Sequence, residues 1–246
     1  MKEDFRPISN TAPEGLYGRL KFFARFIFDL QNLSIYRCLR KYLKNIKGRV
    51  LDIGCGDAPY RHLLNKDCQY TGTDIKDQRK FDYRKENILY LENDKIMVPD
   101  ESFDALICTE VLEHVSQPSK LISEMKRILR KGGTGIITVP WSARFHYIPD
   151  DYFRYTPSGL RIMFRDFSDI IIEERGTDIT AICSKIIVAS VRMIKPNSIV
   201  KWILLPILIA ACIPFIVSAV ILGHVSLRYN LGSTQDPLGY TVYIIN

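Results

Sequence analysis

The chain has 246 residues, of which 47% are hydrophobic and 25% are charged. This composition is typical of a folded globular protein and excludes an intrinsically disordered chain. The formal net charge of +7 arises in residues 1–49, which hold 11 Lys/Arg and 4 Asp/Glu, while the other 23 basic and 23 acidic residues cancel. A chain-wide basic surface is thereby excluded, and we predict no nucleic-acid partner.

The six cysteines form no C-x-x-C pair and show no zinc-type spacing. Several lie in apolar runs, where a thiol packs as a small hydrophobic group, so we expect reduced cysteines and a cytoplasmic protein. The first fifteen residues are polar and contain proline, which is not the pattern of a cleavable signal peptide.

Residues 15–47 carry apolar side chains at helical spacing, interrupted by Arg and Lys. One stripe of this segment holds Leu16, Leu20, Phe23, Ile27 and Leu30. The pattern predicts either a helical cap packed on the core or a basic amphipathic helix at an anionic membrane surface.

From residue 49 onwards, apolar strand-like runs alternate with helical patterns. The predicted strands are RVLDI (49–53), YTGTDI (70–75), ILYLE (88–92), FDALICTE (103–110), TGIITVP (134–140), DIIIEE (169–174) and GYTVYII (239–245). Such strands predict an α/β protein with a parallel sheet covered by helices on both faces. Ligands of these sheets bind beyond the carboxyl ends of the strands.

Two of the predicted helices have recognisable boundaries. The helix in PSKLISEMKRIL is expected to stop at Gly132-Gly133. The helix in TPSGLRIMF is expected to begin with Thr156 as N-cap and Pro157 at its first position.

Residues 202–222 contain no charge, and this stretch is long enough to cross a bilayer as a helix. If the last two predicted strands share one sheet, however, the chain must return to the side of the membrane that it left. A kinked, re-entrant or interfacial segment satisfies this condition, and Pro206 and Pro214 are where a helix would bend. We predict association with one membrane face; a true span and a buried or oligomer-forming insert are the alternatives.

The loop after the first strand, DIGCG, places two glycines directly at a strand end. Gly54 and Gly56 allow the backbone to pass close beneath a ligand, and Asp52 can accept a hydrogen bond from it. A dinucleotide fingerprint requires a third glycine where this chain has Pro59. Asp74 ends the second strand, where a carboxylate can accept both hydroxyls of a ribose. The pattern predicts a nucleoside-type ligand without a pyrophosphate.

Four stretches follow in order over roughly residues 48–141: VLDIGCG, GTDI, PDESFDALICTEVLEHVSQPSKLISEMKRILRKGG and IITVP. They resemble the successive motifs of class I S-adenosylmethionine-dependent methyltransferases, of the type 11-like kind. The resemblance implies a Rossmann-like, seven-stranded, mostly parallel sheet whose last strand is antiparallel and follows the hydrophobic insert. It also implies S-adenosyl-L-methionine as the methyl donor.

The resemblance further implies which residues contact the donor. They are Asp52, Gly54, Cys55 and Gly56 around the amino-acid part, Asp74 and Ile75 at the ribose, Glu92 near the adenine, and Thr109 and Glu110 beneath the sulfonium. Carboxylates, carbonyl oxygens and aromatic faces suit a sulfonium cation.

The stretch TEVLEH places Glu110, Glu113 and His114 where one helical face can hold all three. This spacing resembles that of ubiquinone-pathway O-methyltransferases, in which such a set binds a metal. The motif LEH is also common in the superfamily without metal. We therefore predict no metal, and a structural or pocket-wall role for His114.

Residues 140–160, PWSARFHYIPDDYFRYTPSGL, combine aromatic and polar side chains where acceptor substrates are usually bound. His146 is the expected general base, because imidazole titrates near neutral pH. The expected substrate contacts are Trp141, Asp151, Arg154 and Tyr155. The alternative is that His146 and Arg154 only brace the loop. The phrase HYIPDDYFRYT resembles methyltransferase-like proteins associated with bacterial cell-surface polysaccharide production, which implies a glycan or lipid-linked glycan acceptor.

Together these observations predict an enzyme that methylates a hydroxyl of a glycan, glycolipid or other membrane-associated small molecule at the cytoplasmic face of a membrane. One alternative is a non-catalytic membrane-associated nucleoside-binding protein. A second is a nicotinamide-dependent reductase, although Pro59 stands where the dinucleotide fingerprint requires its third glycine. The expected organisation is a basic helical region (1–47), a methyltransferase core (48–178), a membrane-associating insert (179–236) and a final core strand (237–246).

Overall fold

The computed structural model describes residues 10–75, 89–92, 95–196 and 198–246, without the side chains of residues 90–92. The helices are α1 (Gly15–Arg25), α2 (Leu30–Leu43), α3 (Pro118–Ile128), α4 (Pro157–Met163), α5 (Asp178–Ile194) and α6 (Ile199–Tyr229). The strands are β1 (Arg49–Ile53), β2 (Gln69–Asp74), β3 (Leu89–Glu92), β4 (Lys95–Ile96), β5 (Phe103–Thr109), β6 (Leu129–Pro140), β7 (Asp169–Arg175) and β8 (Gly239–Ile245).

The described strands form one mixed sheet in the order β4-β3-β2-β1-β5-β6-β8-β7. Strands β3, β2, β1, β5 and β6 are parallel to one another, whereas β8 is antiparallel to both of its neighbours, β6 and β7. The predicted α/β class and the antiparallel last strand are confirmed. The predicted count of seven strands is wrong, because Lys95–Ile96 pairs antiparallel with β3 as an eighth. Two residues are too few to produce a periodic apolar pattern.

The topological switch point of this sheet, where a ligand crevice is expected, lies at the carboxyl end of β1. Strand β2 flanks β1 on one side and β5 on the other, so the order of the chain reverses there. Open α/β sheets bind ligands outside the strand ends at such a reversal. The glycine loop that follows Ile53 therefore lies at the position where a ligand is expected.

Two apolar cores cover the two faces of the sheet, and β5 contributes to both. Leu106 and Cys108 belong to the cluster that includes Met125 of α3, whereas Ala105 and Ile107 belong to the cluster that includes Leu39 of α2. Alternate side chains of a strand point to opposite faces. Burial on both faces explains why this strand is apolar at nearly every position.

The two predicted helix boundaries have different outcomes. Thr156 caps α4 as predicted, because its side chain accepts a hydrogen bond from the Gly159 amide at 3.1 Å. The predicted stop at Gly132-Gly133 is wrong, since α3 ends at Ile128 and β6 begins at the next residue. Leu129 pairs with Phe103 in the sheet, so Gly132 lies within a strand.

The N-terminal helix α1 packs through a different face from the stripe seen in the sequence. Phe22 is buried, as is Phe26 just after the helix, whereas Leu16 and Leu20 remain 77% and 62% exposed. Phe23, on the same stripe, is 45% exposed. Leu16, Leu20 and Phe23 thus form an apolar strip of α1 that is exposed on the protein surface.

In the chain, helices α5 and α6 follow β7 and precede β8. The second half of α6 packs on α5. Thr180 Oγ1 of α5 lies 2.7 Å from Ser226 Oγ of α6. The two helices also approach closely at Gly223, where a Cβ would lie 3.1 Å from Cys183 Cβ. The described chain has one helix long and apolar enough to cross a membrane, α6, judged by length and composition only. Its most apolar window has a mean hydropathy of 2.7 and is 11% buried.

Candidate functional site

The glycine loop after β1 is shaped by backbone conformations that favour glycine. Gly54 has φ +68° and Gly56 has φ +48°. A Cβ at Gly54 would also lie 2.4 Å from Cγ2 of Val111, which is far inside van der Waals contact. The loop is anchored to the neighbouring strand, because the amides of Gly54 and Cys55 both donate to the Thr73 carbonyl, at 2.8 and 3.1 Å.

Asp74 ends β2, as the sequence predicted, and joins this strand to the glycine loop. Its Oδ2 accepts a hydrogen bond from the Gly56 amide at 2.9 Å, and its Oδ1 accepts one from the Ile75 amide at 2.8 Å. Burial raises the pKa of Asp74, and the two amides partly offset this effect. A carboxylate oxygen has two lone pairs, so each oxygen can accept one further hydrogen bond.

Asp52 lies on the same edge of the sheet and is also buried. Its Oδ2 accepts a hydrogen bond from the Tyr70 hydroxyl at 2.8 Å, and the Arg61 guanidinium lies 4.9 Å from the centre of the Tyr70 ring. Glu92 is two residues beyond Tyr90, which pairs with Asp74 in the sheet. The side chain of Glu92 and the whole of Asn93 are outside the described residues.

Glu110 follows β5 with a left-handed backbone, φ +53°, and is held from two directions. Its Oε1 accepts a hydrogen bond from Arg175 at 2.7 Å, and its Oε2 accepts one from Gln31 of α2 at 3.2 Å. Arg175 also donates to Ser34 Oγ at 3.0 Å. The ion pair between Glu110 and Arg175 partly neutralises the negative charge of Glu110, so this carboxylate attracts a cationic ligand less strongly. Thr109 Oγ1, beside it, is buried and has no hydrogen-bond partner among the described residues.

The segment after β6 forms a second polar group around His146. The two oxygens of Asp151 accept hydrogen bonds from Arg154 Nη1 and Nη2, at 2.6 and 2.8 Å. Asp151 Oδ2 also accepts the His146 amide and lies 3.0 Å from His146 Nδ1. Although burial opposes ionisation, these contacts hold the pKa of Asp151 below its ordinary value. The carboxylate orients the imidazole.

Glu113 and His114, from the turn after β5, adjoin this group. The His114 and His146 rings meet edge to face with centroids 5.0 Å apart. Burial, together with the charge of Glu110, raises the pKa of Glu113 well above its ordinary value. Burial lowers the pKa of His114, which favours the neutral imidazole.

The other two predicted substrate contacts lie in different surroundings. The Tyr155 hydroxyl donates to the Leu112 carbonyl at 2.7 Å, and the side chain is buried in the core. Trp141 donates through Nε1 to Asp236 at 2.8 Å and packs against Tyr240. The structure thus brings His146, Asp151 and Arg154 together, and uses Tyr155 and Trp141 in packing.

Three residues near Glu110 and the glycine loop could not be identified from sequence patterns. Arg175 and Gln31 contact Glu110 from positions 65 and 79 residues away. The buried Tyr60 donates to Asn32 Oδ1 at 3.2 Å and accepts from Asn10 at 2.9 Å. These contacts tie the N-terminal segment to the end of the glycine loop. No local pattern encodes contacts over such separations.

Residues 51–137 match the family described as “Methyltransferase domain”. This segment of the chain is similar to methyltransferase domains. The glycine loop, Asp74, Glu110 and Glu113 all lie within the matched residues, whereas His146 and the membrane-type helix lie outside them.

Two curated relatives and one solved structure show what this domain is similar to. The chain is 32% identical over 107 residues to thiol S-methyltransferase TMT1B of Mus musculus, covering 38% of this chain and 43% of that protein. It is 33% identical over 130 residues to the ubiquinone biosynthesis O-methyltransferase of Dechloromonas aromatica, covering 45% and 54%. The chain therefore spans about half the length of these relatives.

A SAM-dependent methyltransferase from Archaeoglobus fulgidus shares the fold, with a TM-score of 0.52 at 19% sequence identity, covering 90% of this chain and 99% of that one. At this identity the likeness shows the fold alone.

Proposed function

We propose that this chain is an S-adenosylmethionine-dependent methyltransferase that acts on a small-molecule acceptor. The observation that carries the proposal is the joining of the glycine loop to Asp74 inside the segment that matches the methyltransferase domain. S-adenosylmethionine supplies an electrophilic methyl group, so the protein needs no covalent nucleophile of its own.

The residues at the crevice fit this donor. The buried Asp74 carboxylate retains acceptor capacity for two ribose hydroxyls. Gly54 and Gly56 leave the loop without side chains where the amino-acid part of the donor would lie. Cys55 and Ile75 adjoin these groups in the chain, and Thr109 and Glu110 would lie beneath the sulfonium.

His146 is the proposed proton acceptor for a hydroxyl acceptor. Asp151 lies 3.0 Å from its Nδ1, which orients the ring and favours Nε2 as the basic atom. Arg154 fixes Asp151 in turn through two hydrogen bonds. Methyl transfer requires the acceptor oxygen in line behind the methyl carbon, so orientation and exclusion of water supply most of the rate.

The proposed acceptor is a hydroxyl of a glycan, glycolipid or other membrane-associated small molecule. Phe145, Tyr152 and Phe153 of the loop after β6 are 37–49% exposed and can contact the face of a sugar ring or an apolar group. The ubiquinone O-methyltransferase among the relatives supports an oxygen acceptor, whereas the thiol S-methyltransferase shows that related domains also serve sulfur.

The proposed location is the cytoplasmic face of a membrane. Helix α6 exposes a long apolar surface, and the exposed strip of α1 supplies a second one from the basic N-terminal region. The pairing of β7 with β8 supports insertion from one side, because the chain leaves the sheet and returns to it. The division into regions 1–47, 48–178, 179–236 and 237–246 is part of this proposal.

Incubation of the purified chain with donor labelled in the methyl group, and with a total lipid and glycan extract, tests the proposal. Label should enter an extractable small molecule, and the His146→Ala variant should transfer at least tenfold more slowly. Donor binding without transfer to any fraction would favour the non-catalytic nucleoside-binding protein. No donor binding by the folded chain would contradict both.

A further inference from the structure

Three side chains beside the proposed acceptor pocket converge from two segments of the chain. Glu113 and His114 belong to the turn after β5, and His146 belongs to the loop after β6. Each offers one atom that can bind a metal ion, and these atoms lie within 4.8 Å of one another. A carboxylate and two imidazoles are a common ligand set for first-row transition metals.

The Glu113 carboxyl group has no hydrogen bond that explains its burial. Its side chain is fully buried, and neither oxygen has a hydrogen-bond partner in the described part of the chain. Burial of a polar group without a compensating partner is unfavourable, and burial of a carboxylate is more so. A cation bound at this position would satisfy the group.

Both histidine rings are oriented by contacts at Nδ1. His114 Nδ1 lies 2.6 Å from the Asp150 carbonyl oxygen, and His146 Nδ1 lies 2.9 Å from the Arg144 carbonyl oxygen. Metal-binding histidines are usually held in this way, with the other ring nitrogen directed at the metal. His114 Nε2 is in fact the atom that approaches Glu113, at 3.7 Å from Oε1.

We propose that Glu113, His114 and His146 form a site for a divalent transition metal, with Zn²⁺ as the expected ion. Ligand atoms around tetrahedral zinc are separated by about 3.3 Å, as follows from zinc–ligand distances of about 2.0–2.1 Å. The present separations of up to 4.8 Å therefore require the ligand atoms to move closer together by up to about 1.5 Å when metal binds.

This set differs from the one that the sequence spacing suggested, and it departs from the prediction of no metal. Glu110 is not part of it, because its carboxylate is paired with Arg175 and Gln31. His146, which is 32 residues beyond His114 in the chain, takes its place. Asp151 has a supporting role, since it lies 3.0 Å from the Nδ1 of His146.

Occupancy of this site has a consequence for the proposed reaction. The Nε2 lone pair of His146 cannot bind a metal and accept a proton at the same time. Bound Zn²⁺ is therefore expected to suppress any transfer that depends on His146 as base. The metal site itself stands on its own residues, whether or not methyl transfer takes place.

Metal titration of the full chain, purified in detergent and freed of metal with a chelator, tests the site. Calorimetry with Zn²⁺ and visible absorption with Co²⁺ should both give one equivalent bound. Glu113→Gln and His146→Ala should each weaken binding about 100-fold or more. His62→Ala and His224→Ala are the matched controls, and each should bind metal as the unaltered chain does. Far-ultraviolet circular dichroism of each variant reports whether it is folded.

Three results would overturn the proposal: no saturable binding by the unaltered chain, equal loss of affinity in a control variant, or sulfur-to-cobalt charge-transfer absorption, which indicates cysteine ligands. His146 lies on a partly exposed loop, so its variant remains informative even if Glu113→Gln does not fold. Failure of donor binding would contradict the proposed methyltransferase and leave the metal result unaffected.

Discussion

At the scale of single residues, the proposed donor site depends most on Asp74. Replacement of Asp74 by alanine would remove the proposed charge-assisted hydrogen bonds to the ribose, worth roughly 1.5–3 kcal/mol. The affinity for S-adenosylmethionine should therefore fall about 10- to 150-fold, as measured by calorimetry. Asp67→Ala removes an exposed carboxylate from a turn and is the control, with unchanged affinity expected. Equal affinity in both variants would mean that the ribose binds elsewhere.

Gly54 provides a test of the loop itself. Gly54→Ala introduces a Cβ that meets Val111 and a side chain at φ +68°, so both donor affinity and stability should fall. Gly132→Ala is the matched control, because its φ is +71° and no atom lies within 4 Å of the added Cβ. It should lose only about 1–2 kcal/mol of unfolding free energy and keep donor affinity.

The double variant Gly54→Ala with Val111→Ala separates steric contact from backbone strain at this position. It should recover part of the lost donor affinity, because the clash is removed while the strain remains. If Gly54→Ala binds the donor as tightly as Gly132→Ala does, close packing of the loop is not needed for binding.

The residues that could be predicted from sequence are those with short-range signals. Gly54, Gly56 and Asp74 stand at strand ends, and the parallel topology then brings them together. Arg175 and Gln31 could not be predicted, because their contacts with Glu110 depend on how the last strands and α2 pack. Tyr155 has aromatic character that fits a pocket or a core equally well, and the structure places it in the core.

At the scale of elements, α1 offers two adjacent phenylalanines in opposite environments. Phe22 is 5% exposed and packs in the core, whereas Phe23 is 45% exposed. Phe22→Ala should reduce the unfolding free energy by about 3–5 kcal/mol, and Phe23→Ala by about 1 kcal/mol or less. Chemical denaturation in one detergent measures both. A loss for Phe23→Ala that equals or exceeds the loss for Phe22→Ala would contradict the packing of α1 through Phe22.

The elements were predictable wherever the apolar pattern was long. β5 and β8 were found from near-continuous apolar runs, and α4 from its Thr-Pro start. The two-residue β4 was missed because it has no period. The helix end predicted at Gly132 is wrong because a glycine with positive φ occurs at strand irregularities as well as at helix ends.

At the scale of the whole molecule, the first half of α6 should determine membrane association. Ile199, Ile203 and Ile207 are 66–79% exposed there, and burial of each in lipid contributes roughly 1.5–3 kcal/mol. Changing all three to serine should lower partitioning to anionic vesicles by at least 100-fold in a flotation assay. Ile162→Ser, at an exposed position on α4, is the control. Unchanged flotation of the triple variant would contradict this role of α6 and indicate that α1 binds the membrane instead.

A structure of the chain in complex with S-adenosylhomocysteine, the product of the donor, tests the central claim most directly. We expect the ribose hydroxyls within hydrogen-bond distance of the Asp74 carboxylate, and the amino-acid part against the backbone of Gly54 and Gly56. A nucleoside bound away from the ends of β1 and β2 would contradict the assignment of the donor site.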